Sequence, residues 1–134
     1  MKERTMLTIT SLLSILLMTF HLAGDALNGR PGTVQAGVGN LYALPILVVW
    51  LYGALVLAGR RSGYVILLLG SILGLAMPFV HMTAPGGPVG GGAAQSSGAF
   101  FFVWTMIALG VTAMFSLILA VRELWSLRQG QPGG

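Results

Sequence analysis

Four apolar stretches divide this chain, and the basic residues around them fall on alternate sides. Lys2 and Arg4 precede the first stretch, Arg60 and Arg61 separate the second from the third, and Arg122 and Arg128 follow the fourth. Arg30 alone breaks the pattern, so six of the seven basic residues share one side. Membrane proteins collect Lys and Arg in their cytoplasmic segments in this way. The distribution predicts an all-α integral membrane protein, a four-helix bundle with both termini in the cytoplasm and one domain over residues 1–134.

Composition points the same way. Of the residues, 55% are hydrophobic and 7% charged, where a soluble domain carries about 25% charged residues. A soluble fold of this size lacks the charge to cover its surface, whereas lipid-facing surface needs none. The formal charge of +4 flanks the apolar stretches, where it suits orientation and anionic headgroups. No basic cluster is dense enough for nucleic acid. Cysteine is absent, which excludes disulfides, thiol redox chemistry and Cys-ligated clusters. The expected partners are the lipid bilayer and either another membrane protein or further copies of this chain.

The first span is placed at residues 6–24. A helix of that length reaches roughly 28 Å, enough for the hydrocarbon core. Thr8, Ser11 and Ser14 recur every three residues, a polar stripe expected to face other helices. Lys2 and Arg4 before an apolar run, with Gly24 and Ala26 behind it, also fit a cleavable leader; the length of the run favours a retained span. The second span is placed at 41–59, with Asn40 as N-cap and Pro45 close to the helix start, where a missing N–H does little harm. A tight turn at 59–63 folds it back onto the third span, 64–82. There Gly70 and Gly74 form a Gly-x-x-x-Gly pair for close helix packing, and Pro78 predicts a bend.

The fourth span is placed at 99–121. Phe100, Phe101, Phe102, Trp104 and Tyr42 mark the outer interface, Trp125 and Tyr64 the inner one. The outer loop 83–98 holds six Gly and two Pro with no charge. It lacks the Lys of a phosphate-binding loop, so no nucleotide site is assigned.

Three segments carry a resemblance: His21-Leu22-Ala23-Gly24-Asp25, the run Leu44-Pro45-Ile46-Leu47-Val48-Val49-Trp50-Leu51-Tyr52-Gly53, and Ser97-Gly98-Ala99-Phe100-Phe101-Phe102-Val103-Trp104. They resemble those of a group of small, uncharacterised bacterial four-helix membrane proteins. The resemblance implies a bacterial inner-membrane location and transfers neither activity nor site residues.

Few side chains can carry chemistry. His21 and Asp25 are four apart, on one helical face at the outer end of the first span. His81 ends the third span at the same predicted depth. His21, Asp25 and His81 form a candidate metal set suited to zinc, copper or iron, with Met77 and Met82 as soft ligands for copper. Two His residues from facing helices can also hold a haem. The plainer reading makes both His residues interfacial, with Asp25 closing its helix toward water.

The acids Glu3, Asp25 and Glu123 lie at or beyond span ends, which argues against proton-driven transport. Ser96 and Ser97 lack a nucleophile elbow and read as loop residues. The leading expectation is a non-catalytic accessory or interaction component. The alternatives are a metal- or haem-binding membrane protein and a small-solute transporter or channel acting as an oligomer.

Overall fold

A computed structural model describes residues 2–27, 34–83 and 97–130, with side chains over 2–23, 43–83 and 100–130. The described residues form four helices: α1 (Lys2–Leu27), α2 (Val34–Leu55), α3 (Arg61–Thr83) and α4 (Ser97–Arg128). Three of them, α1, α3 and α4, are long and apolar enough to cross a membrane. The apolar helix described within α2, Ala43–Leu55, is shorter.

The helix ends differ from the sequence expectations. The first helix continues past residue 24 to Leu27, and α2 already begins at Val34. Asn40 therefore lies inside α2 rather than capping it, and Pro45 sits in the helix interior, where it removes the hydrogen bond to the Leu41 carbonyl. The second helix stops at Leu55, earlier than the expected 59, and α3 starts at Arg61 rather than at 64. Between them, the Val56 and Leu57 amides donate to the Tyr52 carbonyl at 2.9 and 3.2 Å, and the Arg60 amide donates to the Leu57 carbonyl at 3.0 Å. Gly59 supplies the positive φ of 80° that this turn requires. The fourth helix runs seven residues beyond Val121 to Arg128. The Gly-rich loop lies largely at 84–96, outside the described residues.

The fourth helix packs against α1 and α3, and α2 packs against the same two. The first and third helices also touch across the diagonal, whereas α2 and α4 do not meet among the described residues. Small residues set the close approaches. A methyl on Gly53 would meet the Ile66 side chain, and one on Gly63 would collide with the Leu57 carbonyl oxygen. The Trp50 indole, 2% exposed, lies over Gly70 and Gly74. The Gly-x-x-x-Gly surface of α3 thus receives a side chain from α2. At the Gly74 end, α4 closes in through Ala113 and Leu109.

The seam between α1 and α4 is built from hydroxyls. Each has one proton to give. Taking Ser11 as donor, its proton goes to Ser116 Oγ (3.2 Å), that of Ser116 to Thr10 Oγ1 (2.9 Å), and that of Thr10 to the Met6 carbonyl (2.9 Å). Nearby, Ser14 lies 3.0 Å from Thr112 Oγ1, and Thr112 donates to the Ala108 carbonyl at 3.0 Å. Every proton ends on an acceptor, so polar atoms are buried without an unmet donor. Ser11 and Ser14 face this seam together with Thr10. Thr8 instead returns its hydroxyl to the Arg4 carbonyl at 3.0 Å.

Large apolar side chains cover the outside, among them Val48, Phe79, Phe100, Phe101 and Trp104. Tyr64, expected at an interfacial belt, is buried instead at 2% exposure.

Candidate functional site

The diagonal contact of α1 with α3 brings His21 and His81 together. Their ring centroids lie 4.6 Å apart with planes at 85°, edge to face. Phe102 of α4 closes the group, 5.7 Å from His21 and 6.3 Å from His81. His21 is buried; His81 is half-buried. His81 Nδ1 lies 3.1 Å from the Met77 carbonyl oxygen. That oxygen only accepts, so Nδ1 is the donor in this contact, and the neutral ring in this tautomer presents its lone pair at Nε2. Such a backbone anchor is how metal-ligating imidazoles are commonly oriented.

The chemistry of this pair is limited by its geometry. Metal–nitrogen bonds of about 2.0–2.1 Å let two adjacent imidazoles share one ion on neighbouring positions. Rings in edge-to-face contact leave no room for a porphyrin between them, so the arrangement does not suit opposed axial ligands of a haem. The backbone of Asp25 belongs to α1, but its side chain lies outside the described residues. Among the described residues no three His, Asp or Glu side chains gather as a metal set. Met77 meets His81 through its carbonyl, and both Met77 and Met82 are partly buried against the core.

The opposite end holds a group that sequence reasoning missed. Glu123 was expected at or beyond a span end; the structure buries it there, 2% exposed. The reason is the extra length of α4, which keeps residue 123 on the face packed against α1. Arg4 Nε stands 3.9 Å from Glu123 Oε2, with the Arg4 side chain 42% exposed. The Tyr64 hydroxyl lies within electrostatic reach of both groups. Next to this pair, Arg122 Nη2 donates to Glu3 Oε1 at 2.7 Å. Glu3-Arg4 on α1 thus faces Arg122-Glu123 on α4, two dipeptides of reversed charge order on antiparallel helices. That reversal was the available signal.

These contacts gather the start of α1, the turn between α2 and α3, and the end of α4 at one end of the molecule. The six basic residues of those segments are therefore clustered in space. Comparisons with protein-family models, curated proteins and solved structures gave no match. The functional reading therefore rests on the residues themselves.

Proposed function

We propose that the chain is a four-span protein of a bacterial cytoplasmic membrane, with both termini cytoplasmic, acting as a non-catalytic accessory or interaction component. The observation that supports this reading is the sorting of charge along the helices. One end carries six basic residues against Glu3 and Glu123, while the sides present large apolar groups. The second helix serves as the fourth span; a proline inside a membrane helix is tolerated where other groups satisfy the freed carbonyl. The bacterial placement follows the resemblance of residues 21–25, 44–53 and 97–104.

Reporter fusions test the topology. A C-terminal fluorescent protein that folds in the cytoplasm and a periplasmic enzyme fused after residue 92 should both be active. The reverse pattern would overturn the orientation. Crosslinking in intact membranes followed by purification should recover a constant membrane-protein companion or a second copy. A chain recovered alone argues against the interaction role, and saturable solute flux into liposomes would replace it with transport.

A second reading is favoured by the 4.6 Å contact of His21 and His81. In it, the two imidazoles hold a transition-metal ion at the outer face, with Asp25 as the third ligand. Metal analysis of the purified protein should give about one ion per chain, lost in His21→Ala and in His81→Ala. Retention of all metal in both variants would dismiss this site.

A further inference from the structure

Beside the buried Glu123, a cavity of about 200 Å³ opens between α1, α2 and α3. Its polar lining comes from Arg4, Thr5 and Thr8 of α1, Gly59 of the turn, and Tyr64 of α3; Leu7 and Leu67 form an apolar part of its wall. This volume is below that of a drug-sized ligand pocket and suits a headgroup. Tyr64 is 2% exposed, and its hydroxyl lines the cavity within reach of Arg4 and Glu123 but without a well-formed hydrogen bond to either. Its one proton can go to the Glu123 carboxylate or to an acceptor seated in the cavity, so the hydroxyl is a donor available to a ligand. Arg4 supplies the charge. Its Nε faces Glu123, while its Nη1 lies beside Gly59 at the same cavity. Glu123 itself does not line the cavity; it stands behind the guanidinium and holds it in place.

Charge decides what kind of group fits. Lys2, Arg4, Arg60, Arg61, Arg122 and Arg128 against Glu3 and Glu123 leave four net positive charges at the end that carries this cavity. Basic surface at the cytoplasmic headgroup level attracts anionic lipid. An arginine fork matches phosphate oxygens. We propose that this cavity binds the phosphate group of an anionic membrane lipid, with the Arg4 guanidinium and the Tyr64 hydroxyl as donors. The inference rests on the membrane reading above, because it places the cavity at headgroup depth.

Native mass spectrometry of the full chain in a neutral detergent tests it, with phosphatidylglycerol titrated in. One lipid per chain should bind saturably. Tyr64→Phe removes only the hydroxyl and should weaken binding about tenfold, the scale of one charge-assisted hydrogen bond. Arg4→Lys keeps a cation opposite Glu123 but loses the fork, and should weaken binding at least as much. Arg128→Gln removes a charge from the same end outside the cavity and should change affinity less than twofold. If Arg4→Lys does not fold, Tyr64→Phe against Arg128→Gln still decides the matter. Equal weakening by those two variants would show general electrostatic attraction and overturn the site, as would equal affinity for phosphatidylcholine. Inorganic phosphate displacing the lipid at equal concentration would make the free anion the ligand and overturn the lipid assignment. Loss of lipid binding with the C-terminal fusion still cytoplasmic sinks the cavity alone and leaves the topology standing.

Discussion

A methyl group placed on Gly70 would stand 2.5 Å from the Trp50 indole, whereas one on Gly110 would stand 3.5 Å from Pro78. The first distance forces a shift and the second is ordinary contact. Overpacking of a tight interior costs about 1–3 kcal/mol, while replacing a mid-helix glycine by alanine returns up to about 1 kcal/mol of helix propensity. Gly70→Ala should therefore lower the thermal stability of the detergent-solubilised protein, and Gly110→Ala should leave it equal or higher. Gly74→Leu should be the most damaging of the three, since even its first carbon would lie 3.1 Å from both Ala113 and Trp50. Melting followed by light scattering would check the order; equal midpoints for Gly70→Ala and Gly110→Ala would refute it. The spacing of Gly70 and Gly74 was legible in the sequence, because two small residues four apart leave a groove. The indole that fills the groove was not, because a groove does not name its occupant. His21 and His81 were likewise legible in depth alone. Their contact depends on α1 and α3 meeting across the diagonal, which no spacing in either helix encodes.

Between elements, the seam of α1 with α4 is where polar groups are spent. Ser116 touches both Ser11 and Thr10 across the seam, at 3.2 and 2.9 Å, while Ser14 touches Thr112 and also the Thr10 carbonyl of its own helix, at 3.0 and 2.9 Å. Hydroxyl bonds between membrane helices average about 0.6 kcal/mol. Ser116→Ala should thus destabilise by about 1 kcal/mol and Ser14→Ala by about half that, because Thr112 keeps its own carbonyl acceptor. Ser116→Ala that melts like the parent would show that the seam draws its strength from packing alone. The reversed dipeptides at the basic end behave differently from one another. Glu3 and Arg122 are 40% and 61% exposed in their side chains, a setting in which an ion pair contributes about 0.2–1 kcal/mol. Glu123 is sealed at 1%, so removing its partner leaves a buried charge uncompensated. Arg4→Ala should therefore cost clearly more than Arg122→Ala, and the double variant Arg4→Ala with Glu123→Ala should recover part of the loss. Absence of any recovery would show that the pair does not interact. The sequence revealed that the first span had a polar side. It did not reveal that Thr112 and Ser116 are the partners: their four-residue spacing puts both on one face of α4, but that spacing does not say which helix the face meets. It also placed Glu123 at the end of the last helix without showing that this end packs on α1, because hydropathy stops at Val121 and says nothing of how the charged last turns are paired.

For the molecule as a whole, the alternation of charge along the chain becomes a separation of charge in space. The clasp of Glu3 with Arg122 brings the two chain ends together at the end that also carries Arg60 and Arg61. Orientation therefore does not hang on one segment. Neutralising Arg60 and Arg61 leaves Lys2, Arg4, Arg122 and Arg128 against Arg30, still four to one. The Arg60→Gln, Arg61→Gln variant should keep its C-terminus in the cytoplasm. Neutralising Lys2 and Arg4 as well, while placing lysines at 33 and 36 in the loop and helix start on the other side, leaves two basic residues against three. That chain should insert in mixed or inverted orientation, read by paired cytoplasmic and periplasmic reporters on the C-terminus. The rule counts basic residues and is nearly blind to acids, so neutralising Glu123 in either background should not move the reporters. If the two-residue variant already inverts, the α2–α3 turn alone sets the topology, and the clustering of the chain ends has no part in it. If the heavily altered chain keeps the parent orientation, charge does not set topology here, and the cytoplasmic placement of the cavity around Arg4 and Tyr64 loses its support with it.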